Sequence, residues 1–190
     1  MDEGGLPRLA DVARAHEEGG AEAVRGLLGV DCALVLSPEG VEELGPTFGT
    51  AAWNTRSLSA PVSNDTESGE RIAPWASMAS PEARVLPLRK QLDRNPFQGV
   101  IAVGRAPTND IVLTAGSVSK QHAFLLQAKD GWKVVDKNSR NGTALNNVSL
   151  QPEQECSLRP GDELRIGGLR CMFIDLSGLI TLARLMQQSG

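Results

Sequence analysis

Between Arg84 and Ile174 every apolar stretch of this chain is cut short within a few residues. The runs are Arg84–Leu88, Val100–Val103, Ile111–Leu113, Ala123–Gln127, Trp132–Asp136, Ala144–Leu145, Cys156–Leu158, Glu163–Ile166 and Arg170–Ile174. Segments of this length, recurring at a spacing of roughly 8–12 residues, build an all-β sandwich or barrel. The breaks carry matching turn chemistry. Lys129-Asp130-Gly131 and Asn146-Asn147 tolerate positive φ and suit hairpins, and Arg159-Pro160-Gly161-Asp162 suits a tight turn before a strand. Residues 81–176 therefore read as one β domain.

The flanks read differently. Leu6, Leu9, Val12 and Ala13 share one face at helical spacing until Gly19-Gly20 interrupts, and a second helical stretch from Ala21 to Leu28 stops at Gly29. Cys32-Ala33-Leu34-Val35-Leu36 is a compact apolar run halted by Ser37-Pro38-Glu39-Gly40, a buried strand and turn or, alternatively, a buried helix end. Residues 1–44 are thus expected as a small helical or α/β appendage. Residues 45–80 are rich in Ser, Thr, Pro, Gly, Asn and Ala, lack periodicity and read as a flexible linker. Trp53 and Trp75 are its isolated large side chains, either exposed or loosely docked, or else part of a short partner-recognition element. In residues 177–190, Leu179, Leu182, Ala183 and Met186 fall on one helical face, which either packs back on the rest of the chain or binds a partner.

Composition removes several function classes. A net charge of -4 with a pI near 5.3 lacks the excess of Lys and Arg that phosphate neutralisation on nucleic acid requires, so no nucleic-acid partner is expected. No stretch approaches the roughly 20 apolar residues needed to cross a bilayer, and the first residues are not those of a secretory signal, so a cytoplasmic, membrane-free protein is expected. Cys32, Cys156 and Cys171 are odd in number without CxxC spacing, and His16 and His122 have no second ligand type nearby in sequence. Neither a metal nor a cofactor is expected. Catalytic signatures such as a Walker-type loop, HExxH or GxSxG are missing, so the chain does not read as an enzyme and no catalytic residue is assigned.

One chemistry remains. Gly104-Arg105 with Asn109-Asp110-Ile111, then Ser119-Lys120-Gln121-His122-Ala123, then Asn138-Ser139-Arg140-Asn141-Gly142-Thr143 each follow a short strand and occupy an expected loop. Together they offer a guanidinium, a hydroxyl, an amide and further cations. A phosphate dianion presents three acceptor oxygens at about -1.5 to -2 charge, so its receptor needs several convergent donors with at least one permanent cation. Arg105 meets the second need.

These three blocks, in this order, resemble the forkhead-associated (FHA) domain, over residues 81–176. The resemblance implies a sandwich of two antiparallel-rich β-sheets that binds phosphothreonine peptides through loops at one end. It implies that Arg105 and Ser119 bind phosphate, that Asn141 binds the peptide main chain, and that Gly104, His122 and Gly142 support the loops. Lys120 and Arg140 fall where the family often adds phosphate contacts. Ser or Thr is common at the position of Arg140, whose longer cation either strengthens phosphate attraction or points to solvent. The expected partner is a phosphothreonine protein in a Ser/Thr kinase pathway; the other reading is a scaffold that binds unmodified protein. Thr47, Thr50, Thr55 and Thr66 lie in the linker, where phosphorylation would set an intramolecular competitor against such partners.

Overall fold

The computed structural model describes residues 6–37 and 78–188. Their elements are α1 (Leu9–Leu28), β1 (Cys32–Leu36), β2 (Arg84–Pro87), β3 (Val100–Gly104), β4 (Ile111–Val112), β5 (Ala123–Ala128), β6 (Gly131–Asp136), β7 (Thr143–Leu145), β8 (Val148–Ser149), β9 (Glu155–Leu158), β10 (Glu163–Ile166), β11 (Leu169–Asp175) and α2 (Leu176–Gln188). Six strands form one sheet in the order β2-β1-β11-β10-β7-β8, and five form a second in the order β4-β3-β5-β6-β9. Apart from the parallel β3–β4 pair, every pairing is antiparallel. The expected sandwich of two antiparallel-rich sheets is present, with a helix at each flank.

Period-two alternation explains where the core sits. Ile101 and Val103 of β3, Leu125 of β5 and Val134 of β6 meet Leu164 and Ile166 of β10 and Leu169, Cys171 and Phe173 of β11 between the sheets. Trp132 joins them, its ring 6.0 Å from that of Phe173 and tilted by 58°, a favourable tilted contact between the two sheets. The alternate residues of β1, β2 and β11, including Ala33, Val35, Val85, Met172 and Ile174, form a second core with Leu9, Val12, Val24 and Leu28 of α1 and Leu179, Leu182 and Ala183 of α2. Both faces of β1 and β11 are covered. That is why Cys32–Leu36 and Cys171–Ile174 read as unbroken apolar runs rather than as alternation.

The strand reading of Cys32–Leu36 is the correct one of its two alternatives, but its place corrects the expected division of the chain. Within the expected appendage of residues 1–44, the described residues 6–37 do not stand apart from the β domain. β1 lies inside the six-stranded sheet, with Leu34 opposite Phe173 on one side and Leu86 on the other. Leu9 N–H also bonds Ala83 O, and Val85 N–H bonds Pro7 O, so the entry to α1 covers the edge of β2. Met78, near the end of the segment expected as a linker, is buried in the helix-side core. Trp53, Trp75, Thr47, Thr50, Thr55 and Thr66 lie outside the described residues.

Local signals placed the remaining elements. α1 kinks where expected, at Gly19 and Gly20, and ends on Gly29 in the left-handed region at φ 68°. β5 turns into β6 through Lys129-Asp130, and β7 into β8 through Asn146 and Asn147 at φ 49° and 66°. α2 packs on α1 and β11, the packed alternative for the terminal apolar face. No helix among the described residues is long and apolar enough to cross a membrane.

Candidate functional site

The loops β3–β4, β4–β5 and β6–β7 lie together at one end of the sandwich, and their own hydrogen bonds fix them. Gly104 closes β3 in an ordinary backbone conformation. Its glycine identity answers to close approach, since a Cβ there would stand 2.5 Å from Lys120 O and 2.9 Å from Asn109 Nδ2. Freedom to turn sharply is therefore not what the position requires. The approach lets Arg105 N–H donate to Ser119 O at 2.9 Å and Ala106 N–H to Lys120 O at 3.0 Å, joining the first loop to the second. The Arg105 side chain is steadied by an Nε–H bond to Val118 O at 3.2 Å and is otherwise exposed.

His122, fully buried, holds the second loop to the third. Ser119 N–H donates to its Nδ1 at 3.0 Å, which leaves the ring proton on Nε2 to be donated to Gly142 O at 3.1 Å. Burial holds the imidazole below its ordinary pKa of 6.5, against the opposing pull of Gly142 O and the Asp136 charge. A neutral ring is what this tautomer needs, because a proton on Nδ1 would meet the Ser119 N–H. The Ser119 hydroxyl accepts from Arg140 N–H at 3.0 Å, and its own proton remains available to a ligand. Asn141 Nδ2 donates to Ser117 O at 2.7 Å, and Gly142 turns the chain at φ 73°.

Arg105, Ser119, Lys120, Arg140 and Asn141 thus come from three loops stitched to one another, with Gly104, His122 and Gly142 inside the stitching. Chemically, the arrangement offers a guanidinium, a hydroxyl, an amide and two further cations from fixed loops. Residues 101–167 match the family model of the FHA domain. The chain carries an FHA domain. It is similar to the oxoglutarate dehydrogenase inhibitor of Corynebacterium jeikeium, 38% identical over 78 residues that make up 41% of this chain and 52% of that protein. It is also similar to the glycogen accumulation regulator GarA of Mycobacterium tuberculosis, 36% identical over 77 residues, 40% of this chain and 46% of that one. The chain spans about half the length of these curated relatives. Among solved structures it is similar to Mycobacterium tuberculosis EmbR in complex with a low-affinity phosphopeptide, with 27% identity, 40% of this chain and 20% of that chain covered and a TM-score of 0.38.

Charge singles out the loop end of the FHA domain. Arg105, Lys120 and Arg140 are exposed and make no ion pair among the described residues, whereas Lys133, Lys137 and Arg170 on the sandwich walls pair with Glu155, Glu153 and Glu163. Although the net charge is -4, three cations without an ion pair among the described residues gather at this end.

Several residues that shape the FHA loops carried no role in the sequence reading. Asn109 Nδ2 donates to both Ala106 O and Lys120 O, at 2.8 and 2.7 Å, holding the Gly104 approach in place. The Asp110 carboxylate, with no side-chain exposure, accepts from Ala102 N–H, Gln91 N–H, Asn95 Nδ2 and Lys90 Nζ at 2.6–3.1 Å. Burial pushes its pKa up, but these donors outweigh burial and leave it below the usual 3.8. Asp136 is treated the same way by Ser139 and Thr143: burial opposes ionisation and the hydrogen bonds prevail. It caps the β6–β7 loop through Ser139 N–H, Ser139 Oγ–H and Thr143 Oγ1–H. Asp136-x-x-Ser139 has the spacing of a side-chain-capped turn, a signal that was there to be used. Asp110 offers no such signal, since its donors come from three separate segments.

Proposed function

We propose that the protein is a non-enzymatic reader of phosphothreonine peptides that recruits phosphorylated partners in Ser/Thr kinase signalling. The observation that carries this reading is the cluster of Arg105, Lys120 and Arg140, without an ion pair among the described residues, beside the available Ser119 hydroxyl, on loops already held in place before any ligand arrives. Arg105 supplies a forked, permanent cation, Ser119 a hydroxyl donor, and Lys120 and Arg140 further positive charge. Asn141, with one N–H engaged by Ser117 O, keeps its carbonyl and a second N–H for an extended peptide's main chain. The match to the FHA family model supports the assignment, as do relatives named for inhibition and regulation rather than for a reaction.

Each charge-assisted hydrogen bond contributes about 1.5–3 kcal/mol, and ordering a flexible peptide offsets part of the sum, so micromolar affinity is expected. A phosphothreonine peptide library titrated against the wild type and Arg105→Ala tests the reading. The wild type should bind a subset of phosphorylated peptides and ignore their unphosphorylated forms, and Arg105→Ala should bind on the order of 100-fold more weakly. Equal binding by both proteins, or by neither, would reject it; partners retained after phosphatase treatment would favour a phosphate-independent scaffold.

A further inference from the structure

The β10–β11 turn lies outside the three loops, yet it touches two of them at the points that matter. Gly167 N–H donates to Gly142 O at 3.1 Å, the same carbonyl that accepts from His122 Nε2. Gly167 has φ 62°, and a Cβ built there would lie 2.5 Å from Ser117 O, 3.0 Å from Ser117 C and 3.4 Å from His122 Cε1. The first two are backbone atoms that cannot swing aside. Ser117 O is in turn the acceptor for Asn141 Nδ2 at 2.7 Å. One glycine therefore borders the carbonyl that orients the Asn141 amide.

We propose that Gly167 is a positioning residue for peptide recognition: the β10–β11 turn, by admitting no side chain, seats the Ser117 carbonyl where it presets the Asn141 amide. This rests on the reading of Asn141 as the peptide clamp. An amide donating to a fixed carbonyl is held in one of its two flip states, so its free Oδ1 and remaining N–H face the ligand already sorted. Ordering that would otherwise be lost on binding is completed during folding, which raises affinity without any direct contact. Arg105 and Lys120, phosphate contacts in that reading, are tied to each other's loops by the Arg105 N–H to Ser119 O and Ala106 N–H to Lys120 O bonds, whereas the turn meets Ser117 O directly, so its main effect falls on the Asn141 clamp.

Gly167→Asn is the informative variant, because asparagine tolerates positive φ and the change isolates the added Cβ. Gly99→Asn controls for backbone strain, with φ 73° and no atom nearer than Gln127 O at 3.7 Å. Gly167→Asn should bind a phosphothreonine peptide about tenfold more weakly, Gly99→Asn should bind it as the wild type does, and Gly167→Asn combined with Asn141→Ala should lose no more than the weaker single variant. Wild-type affinity in Gly167→Asn, or losses that multiply in the double variant, would overturn the proposal. A second readout needs no ligand: the Asn141 side-chain amide resonance should move in Gly167→Asn and stay in place in Gly99→Asn, and an unmoved resonance overturns the proposal. Should the wild type bind no phosphopeptide, the functional reading fails, and the resonance alone decides whether the turn presets the amide. Should Gly167→Asn not fold, the wild type supplies the test, since the Gly167 amide must exchange slowly behind Gly142 O; rapid exchange refutes the contact.

Discussion

On the helix-covered face of the six-stranded sheet, Leu9, Val12, Met172, Ile174, Leu179 and Leu182 form an apolar cluster, whereas Asn95, Asn109, Asp110, His122, Asp136 and Thr143 are buried under and beside the loop end. Apolar contact is not directional, so the first arrangement fixes that the helices stay but constrains individual atoms weakly. Hydrogen bonds are directional, and a buried network places specific carbonyls and N–H groups at the cost of a large penalty when any partner is lost. A receptor for phosphate oxygens needs the second kind of control, and a covering layer needs only the first.

The strongest challenge to this contrast is Asp110→Ala. It removes one carboxylate, leaves the Gln91 and Ala102 N–H groups without their acceptor and leaves Lys90 and Asn95 with Val100 O but no carboxylate, so a destabilisation of about 3–5 kcal/mol is expected in denaturant unfolding. A loss under about 1 kcal/mol would show that the network is redundant. Leu182→Ala, on the other side, leaves a cavity in the helix layer and should cost about 2–4 kcal/mol, while backbone amide resonances of residues 104–106, 117–122 and 139–142 stay where they are. Movement of the loop resonances in that variant would mean the two regions are not separable.

Acid sharpens the comparison further, because among the described residues the buried groups whose pKa is lowered are His122, Asp110 and Asp136, all in the polar network. The folded pKa of His122 lies below 6.5, so the unfolded chain binds its proton first. Stability from His122 is therefore full above about pH 6.5 and is lost as pH falls through that value toward the depressed folded one. Asp110 and Asp136 are held below 3.8; their contribution is complete above the ordinary carboxylate range and disappears as pH falls through their folded values. Unfolding free energy measured against pH should fall in these two separate steps, and the His122 ring resonances should titrate below 6.5. A ring that titrates at or above 6.5 would contradict the neutral tautomer.

How much of this could be read from the sequence divides along the same line. The short strands, the Asn146-Asn147 hairpin and the kink at Gly19-Gly20 were legible because each is a local preference written in neighbouring residues. The loop blocks were legible as a set through their order. What escaped was set by partners distant in the chain. Cys32–Leu36 read as a strand or a buried helix end and gave no hint of its place between β2 and β11, since nothing near it names Leu86 or Phe173. Asp110 read as part of a loop block, although it is buried and held by four donors from other segments. Gly167 carried no signal of its own, and only the approach of Ser117 O shows why a side chain is excluded.

The smallest expected effect separates backbone from side chain within one loop. Ser117 serves Asn141 through its carbonyl, while its hydroxyl is buried and finds no partner among the described residues. Two residues on, Ser119 Oγ accepts from Arg140 N–H. Removing a buried hydroxyl that bonds nothing takes away a desolvation penalty rather than an interaction, so Ser117→Ala should change stability by no more than about 0.5 kcal/mol, or raise it. Ser119→Ala deprives the Arg140 N–H of its acceptor and should cost about 1 kcal/mol. The gap between the two serines is readable by paired denaturant curves, and its direction is the decisive quantity. If Ser117→Ala proves the more damaging, the hydroxyl has a structural partner and the loop is held by more than its carbonyl. If Ser119→Ala does, the loop end owes its shape to the bonds that join one loop to the next, as the contrast with the apolar helix layer requires.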